Sequence, residues 1–303
     1  MSKHAIAVLI AFTVLMAFPP LAFPQPVNSA RPMVPVPSPP TPQVNIAKKQ
    51  QGCPLPAGQC WESINWAGYA TTNETDTGLF TFVNASWTVP PIVGATKSTC
   101  PDGTVTWFDA SVWIGVDGFN NGYVEQTGTS SDCYYGAPQY YAWYELFPAP
   151  SYSMPSADVV YPGDVMYAYV NYTAKTSLFG IWIQDLTPGH EWSFSLTSAN
   201  PGATRDSAEW ITETAAACIP SSCPAGADFE FLPLTHFTTV TFNGAYASIN
   251  KIPRPLSSHF WSSTLNWILL VNLNWPASPG VKATPSAVTK KNSFNVAFVS
   301  SGP

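Results

Sequence analysis

From about residue 61 onward the chain is a run of short, two-faced segments separated by turn signals. That punctuation constrains the fold more than any other feature. Strand patterns read at Trp61–Ala70, Thr81–Val89, Ser111–Val116, Tyr123–Thr127, Gln139–Phe147, Val165–Thr173 and Leu178–Asp185. They continue at Glu191–Thr197, Ala208–Thr214, Thr238–Phe242, Asn266–Leu273 and Ser293–Val299. Pro162-Gly163-Asp164, Thr187-Pro188-Gly189, Asn200-Pro201-Gly202 and Ser278-Pro279-Gly280 mark the turns. No stretch sustains an apolar period of 3.6 residues, so the pattern predicts an all-β sandwich or barrel. With no internal repeat and no second linker, residues 61–303 are expected to form one domain.

The central hairpin, within residues 104–128, carries the first chemical oddity. Val112, Ile114 and Val116 fall on one face and Trp113 and Gly115 on the other. Asp117-Gly118 and Asn121-Gly122 supply turn residues. On the returning strand Val124 and Gln126 share a face, so an amide stands where an apolar residue is the default. From spacing alone, Gln126 belongs equally at a sheet edge or a solvated face. Trp143 and Glu145 also share a face, as do Glu209, Ile211 and Glu213. Acids alternating with apolar groups either meet water or line a cleft.

Composition narrows the function classes. Charged residues are 10% of the chain, against roughly 25% in ordinary soluble proteins. A net charge of −6 with no Lys/Arg cluster excludes nucleic acid as the expected partner. Few paired carboxylates also means little to lose on acidification, which points to an acidic exterior. Lys3 and His4 precede an apolar run from Ala5 to Phe18 closed by Pro19-Pro20, so residues 1–23 read as a secretory signal. The run is short for a membrane span, and no stable membrane insertion is expected. Residues 24–60 form a Pro-rich propeptide or linker. In an exported chain six cysteines suggest disulfides. Cys53–Cys60 and Cys218–Cys223 are the closest pairs, leaving Cys100–Cys133 to bracket the hairpin, although six cysteines allow about fifteen connectivities. With no CxxC and only four histidines, no zinc site is expected. No Gly-x-Ser-x-Gly elbow supports Ser/His/Asp catalysis. Asp76-Thr77-Gly78 lacks the apolar strand and second copy that an aspartic dyad needs.

Five ordered segments together resemble the glutamic peptidases (eqolisins): INWAGY at 64–69, VWIGVDG at 112–118 with EQTG at 125–128, AWYE at 142–145, AEWITE at 208–213 and LPLTHFTTVTF at 232–242. The resemblance implies an antiparallel β-sandwich of two large sheets (concanavalin-like), its concave face forming the substrate cleft. It implies a catalytic pair, Gln126 and Glu213, with Trp143 and Glu145 lining the cleft and Trp113 as cleft wall or packing. It implies protein or peptide substrates, no metal or cofactor, and a monomer secreted into an acidic exterior. The sequence departs from the family pattern in three places. Thr129-Ser130-Ser131-Asp132 follows the glutamine tripeptide, Tyr141 precedes Ala142, and Glu125 replaces an apolar residue. Two other readings fit the residues. One is a lectin-like sandwich, with some of the 12 Trp stacking on sugars. The other is a glycosidase with Glu145 and Glu213 as its carboxylate pair.

Overall fold

A computed structural model of the protein describes residues 44–45, 52–56, 58–73, 78–97, 99–100, 107–217, 230–272 and 280–302. Among these residues the architecture is β-strand throughout, apart from one 3₁₀ turn at His259–Trp261. The principal strands are β1 (Cys60–Ser63), β2 (Trp66–Thr72), β3 (Phe80–Thr88), β4 (Ser111–Val116) and β5 (Val124–Tyr134). They are followed by β6 (Ala137–Phe147), β7 (Val165–Thr173), β8 (Leu178–Asp185), β9 (Trp192–Ser198) and β10 (Ser207–Glu213). The last five are β11 (Val240–Ile249), β12 (Ile252–Pro255), β13 (Leu265–Val271), β14 (Val281–Pro285) and β15 (Phe294–Phe298).

Two layers result. The first runs β6-β5-β4-β10-β2-β13 and is antiparallel throughout. It continues through β14, β15 and the start of β11, and β1 adds to β13 in parallel. The second runs β9-β8-β7-β3-β11-β12. Strand β11 serves both layers: Val240–Phe242 pairs with β15, and Asn243–Ile249 with β3, across a register shift after Asn243. Such an irregularity lets one strand turn a corner between sheets.

Alternation decides what each layer buries. Val112, Ile114, Val116, Ala208, Trp210, Ala67 and Tyr69 point from the first sheet into the space between the layers. They meet Phe80, Val83, Trp87, Ala168, Ile181 and Phe242 there. The largest fully buried side chains are aromatic, and the polar handles of the indoles find partners. The indole N–H of Trp87 donates to Thr129 Oγ1, that of Trp210 to the Asn84 carbonyl, and that of Trp267 to the Pro285 carbonyl. A buried indole left without an acceptor would cost about 1–3 kcal/mol.

The outer face of the first sheet carries a second, smaller cluster: Trp66, Ala70, Trp113, Val124, Trp143, Phe147, Ile211 and Ile268, with Phe119 packed on it. Glycines make room for the indoles. Gly128 stands between Trp113 and Trp143 in register, and a Cβ there would lie 2.3 Å from the Val112 carbonyl oxygen and 2.6 Å from the Trp113 Cβ. Asp117 (φ 69°) and Gly118 (φ 108°) make the turn out of β4 in the left-handed region, as the Asp-Gly dipeptide predicts.

Most predicted strands are present with bounds shifted by a residue or two. Three differences have physical causes. Trp61–Ala70 is broken at Ile64-Asn65 into β1 and β2, and Asn65 leaves the ladder to serve the site described below. Tyr123–Thr127 extends to Tyr134, because its second half pairs with β6 rather than ending at a turn. Prolines hide the strands β12 and β14: β12 lies at a sheet edge, where a missing N–H is tolerated, and Pro285 is the last residue of β14. The sheet also takes in residues before 61: Val44–Asn45 pairs with Trp61–Glu62, and Cys60 with Trp267. The bridges Cys53–Cys60 and Cys100–Cys133 are formed, while the third pairing, Cys218–Cys223, lies outside the described residues, as do Asp76 and Thr77.

Many of the few acids are buried. Burial holds Glu125 up at about 9 and keeps Asp132, Glu145 and Glu209 well above the ordinary carboxylate range. A group that holds its proton more tightly folded than unfolded stabilises the fold below its unfolded pKa of about 4. That stability is lost as pH rises through the folded value. Lys282, held down to about 8 by burial, offsets this only above that pH. The melting temperature should therefore be highest near pH 3–4 and fall continuously toward pH 8. A calorimetric series that rises over this range contradicts the burial argument. Gly128→Ala should lower stability by about 1–3 kcal/mol, the cost of overpacking a tight site, measurable by urea unfolding.

Candidate active site

The outer face of the first sheet is ordered in rows of cross-strand partners. One row reads Glu145, Gln126, Gly115, Glu209, Ala70. The next reads Trp143, Gly128, Trp113, Ile211, Gly68, and a third reads Tyr141, Ser130, Ser111, Glu213, Trp66. Gln126 and Glu213 therefore lie on one face of one sheet. Strand β4 separates them laterally, and they are two rows apart along the strands. Both line a cleft with about 50 Å³ of interior room for solvent, together with Asp109, Trp143, Glu145 and Tyr141. A site needs about 10–15 Å³ to hold one water, so several fit.

Glu213 is only 6% exposed, and both carboxylate oxygens are held. Oε1 accepts from Asn65 Nδ2 at 2.9 Å and Oε2 from Trp113 Nε1 at 2.8 Å. Ser63 fixes the Asn65 amide by donating its hydroxyl to Oδ1 at 2.9 Å, which turns the NH₂ toward Glu213. Burial is the largest influence on this carboxyl and the negative charge of Asp109 adds to it. Against the pull of the Asn65 and Trp113 donors, they push it up to about 8.

Gln126 is 5% exposed. One N–H of its amide donates to Glu145 Oε2 at 2.6 Å, and its carbonyl oxygen is buried without a partner. Glu145 Oε1 and the indole N–H of Trp143 are likewise buried and unpartnered. Unsatisfied buried groups are rare in native structures, and here three converge among residues that line one cleft. Burial, and next the nearby charge of Glu213, keep Glu145 well above the carboxylate range.

The structure thus brings together Gln126, Glu213, Trp143 and Glu145. It places Trp113 differently from a cleft wall. The ring is fully buried and packs edge-on against Trp66 at 5.1 Å, with its N–H committed to Glu213. Its part is packing and orientation of the carboxylate. Gln126 sits on an interior strand, not at an edge. Glu209 shares the face of Glu213 but is completely buried and does not line the cleft. Three residues of the site escaped sequence reasoning. Asn65 lies in the break between strands, Asp109 precedes β4, and Ser111 looks like any strand residue; only Asn65 fell inside a recognised motif. Glu125, on the opposite face of β5, is explained by Asn200, whose amide bonds its Oε1 at 2.6 Å.

Among the described residues, Asp164, Asp185 and His190 bring potential metal-ligand atoms within 4.8 Å of one another, but none of them lines the cleft. No helix among these residues is long and apolar enough to cross a membrane.

A search of curated proteins finds no match. Among solved structures, Scytalido-glutamic peptidase with a peptide-based transition-state analog is similar at 22% identity. The match covers 78% of this chain and 98% of that one, with a TM-score of 0.59. SCP-B, a member of the eqolisin family in complex with the tripeptide Ala-Ile-His, is similar at 21% identity, with 78% and 98% coverage and a TM-score of 0.57. These likenesses establish the sandwich fold. The Peptidase A4 family profile matches residues 64–260, most of the chain. The chain therefore belongs to the Peptidase A4 family, the glutamic peptidases or eqolisins, and is a glutamic endopeptidase.

Proposed function

We propose that the protein is a secreted peptidase that cleaves protein or peptide substrates in weakly acidic surroundings, with Glu213 and Gln126 as its catalytic pair. The observation that carries this reading is the division of labour across the cleft. Glu213 is a carboxyl locked in place by two N–H donors. Gln126 is an amide with one donor and one acceptor still free.

Glu213 as carboxylate takes a proton from a water set against the scissile carbonyl. The free carbonyl oxygen of Gln126 accepts the water's other hydrogen and aims its lone pair. An amide NH₂ has two hydrogens, and only one is spent on Glu145. The second donates to the oxyanion as the tetrahedral intermediate forms, the kind of preorganised contact that supplies the largest single share of many rate enhancements. Glu213, now protonated, returns its proton to the departing amine. The C–N bond breaks and the carboxyl is restored to its starting state. Glu145 acts through Gln126, and Trp143 offers its indole N–H to a substrate carbonyl. No step in this scheme uses a metal or a covalent intermediate.

The transition-state analog and the tripeptide bound in the two similar structures support a peptide as the occupant of the cleft. Disulfides among the described residues and the leader-like residues 1–23 support export. Residues 24–60 serve as propeptide or linker ahead of a catalytic domain spanning 61–303.

Glu213→Gln and Gln126→Ala should each lower kcat/KM on a denatured-protein substrate by about 10² or more, because each removes a transition-state contact. Glu145→Gln keeps an oxygen to accept from Gln126 and should stay within about tenfold of wild type. A glycosidase would show the opposite order, tolerating Gln126→Ala and failing with Glu145→Gln. Because the base form of Glu213 grows only as pH rises through its raised pKa, the ascending limb of kcat/KM should lie above pH 4.3, the ordinary glutamate value. A limb at or below that value removes Glu213 from the role of base.

A further inference from the structure

Asp109 and Asp132 are acids that the scheme above leaves unused, and the sheet places them face to face. The pairings Phe108↔Cys133 and Ser111↔Ser130 lie in one continuous register, which sets Asp109 opposite Asp132 in the row beyond Ser111 and Ser130. Both are 2% exposed. Asp109 is pinned from three sides. Its Oδ1 accepts from the Ala215 amide at 2.6 Å, its Oδ2 from the Ser111 hydroxyl at 3.4 Å, and its own amide donates to the Pro233 carbonyl at 3.1 Å. Asp132 Oδ2 accepts from the Tyr141 hydroxyl at 2.7 Å and from the Trp107 indole at 3.3 Å, while Oδ1 has no donor of its own. Two buried carboxyls meeting in this way are tolerable only with a proton between them.

We propose that Asp109 and Asp132 form a one-proton carboxyl pair that sets the pH at which Glu213 becomes a base. Asp109 is a positioning residue that acts through Glu213. The strand order β5-β4-β10 places Asp132 outermost and Asp109 between it and Glu213. Asp109 and Glu213 both line the cleft, and Asp109 is bonded to Ala215, two residues beyond Glu213. With one proton the pair carries a single negative charge. How that charge divides between near and far members decides how strongly it opposes ionisation of Glu213. Burial raises both aspartates, and the charge of Asp109 is the electrostatic influence on Glu213 second only to burial. The other groups facing the pair are the Lys282 ammonium, which lies near Asp109 and donates to the Leu232 carbonyl at 3.2 Å, and the Tyr141 hydroxyl. Glu145 faces Glu213 from the other side. This inference rests on Glu213 as the base, and its distinctive content is a sign.

Asp109→Asn keeps the Ala215 contact through its oxygen and turns its NH₂ toward Asp132, giving up only the long bond from the Ser111 hydroxyl. The charge then sits wholly on Asp132, farther from Glu213, and the ascending limb of kcat/KM should move to lower pH. Asp132→Asn leaves the charge wholly on Asp109, next to Glu213, and the limb should move to higher pH. Because the charge moves rather than disappears, the two opposite shifts should together span a few tenths of a pH unit, below the roughly one unit that a full charge about 10 Å away exerts at an effective dielectric near 20. Shifts in the same direction, or none in folded variants, overturn the proposal. Carbon-13 NMR of wild-type protein with assigned Asp109 and Asp132 carboxyls is independent of catalysis and of variant folding. The two should titrate together in two steps, and independent single titrations overturn the pair. Full activity of Glu213→Gln would instead remove the catalytic assignment while leaving the NMR result to stand on its own.

Discussion

Everything at the site depends on a carboxyl group held inside a β-sheet face by two neutral N–H donors. Burying Glu213 costs free energy, and among the described residues no Lys or Arg lines the cleft to repay it. What repays it in part is geometry. Asn65 and Trp113 each aim a donor at a different oxygen. Those donors are themselves held. Ser63 locks the Asn65 amide, and Gly128 makes the room that lets the Trp113 ring lie against the sheet. A cation in their place would have driven the carboxyl to permanent ionisation. Neutral donors leave it free to gain and lose a proton, which the proposed role of base and then acid requires.

The same economy of charge runs through the whole molecule. Only 10% of residues are charged, and several of the carboxylates sit inside rather than on the surface. Low charge density suggests a fold indifferent to acid. The arrangement goes further: buried, proton-holding carboxyls make acid the stabilising condition. In an ordinary protein native carboxylates are paired with cations and acid breaks the pairs. Here rising pH is the threat, because each of these groups must then ionise in an apolar setting or draw water in. Asp117 shows how the fold partly offsets the burial that raises such a carboxyl. Its two oxygens collect the backbone N–H groups of Thr204, Arg205 and Asp206 and the Asn121 amide, a loop clamp built from dipoles.

Alternation made the strands and their faces legible. The side-chain period of two leaves no freedom once one apolar face is known, so the shared faces of Trp143 with Glu145 and of Ile211 with Glu213 follow from sequence. Burial of the opposite, polar-looking face does not follow. A row such as Glu145, Gln126, Gly115, Glu209 looks solvated from sequence, yet its polar members are 0–5% exposed. Pairing between distant segments is equally hidden. Nothing local says that Ser111 stands beside Glu213, or that Asp109 meets Asp132. Asn65 could not be read from periodicity, because its role begins where the period stops. The pattern predicts a strand over Thr238–Phe242, whereas β11 runs on to Ile249 by crossing from one layer to the other after Asn243.

In the proposed mechanism the amide of Gln126 is the part of the site least replaceable by another residue type. A histidine there would change charge across the acidic range and would repel or attract the oxyanion according to pH. A carboxylate would oppose the oxyanion outright. A glutamine is neutral at every pH, but it is also floppy, and its orientation must come from elsewhere. Glu145 supplies that orientation through the 2.6 Å bond. If Glu145 were ionised, it would place a negative charge one residue's reach from the developing oxyanion and undo much of what the amide contributes. Burial and the proximity of Glu213 oppose its ionisation, while its oxygen accepts from the amide. Glu145 therefore serves the site as a carboxyl whose proton is held tightly while its other oxygen accepts from the amide.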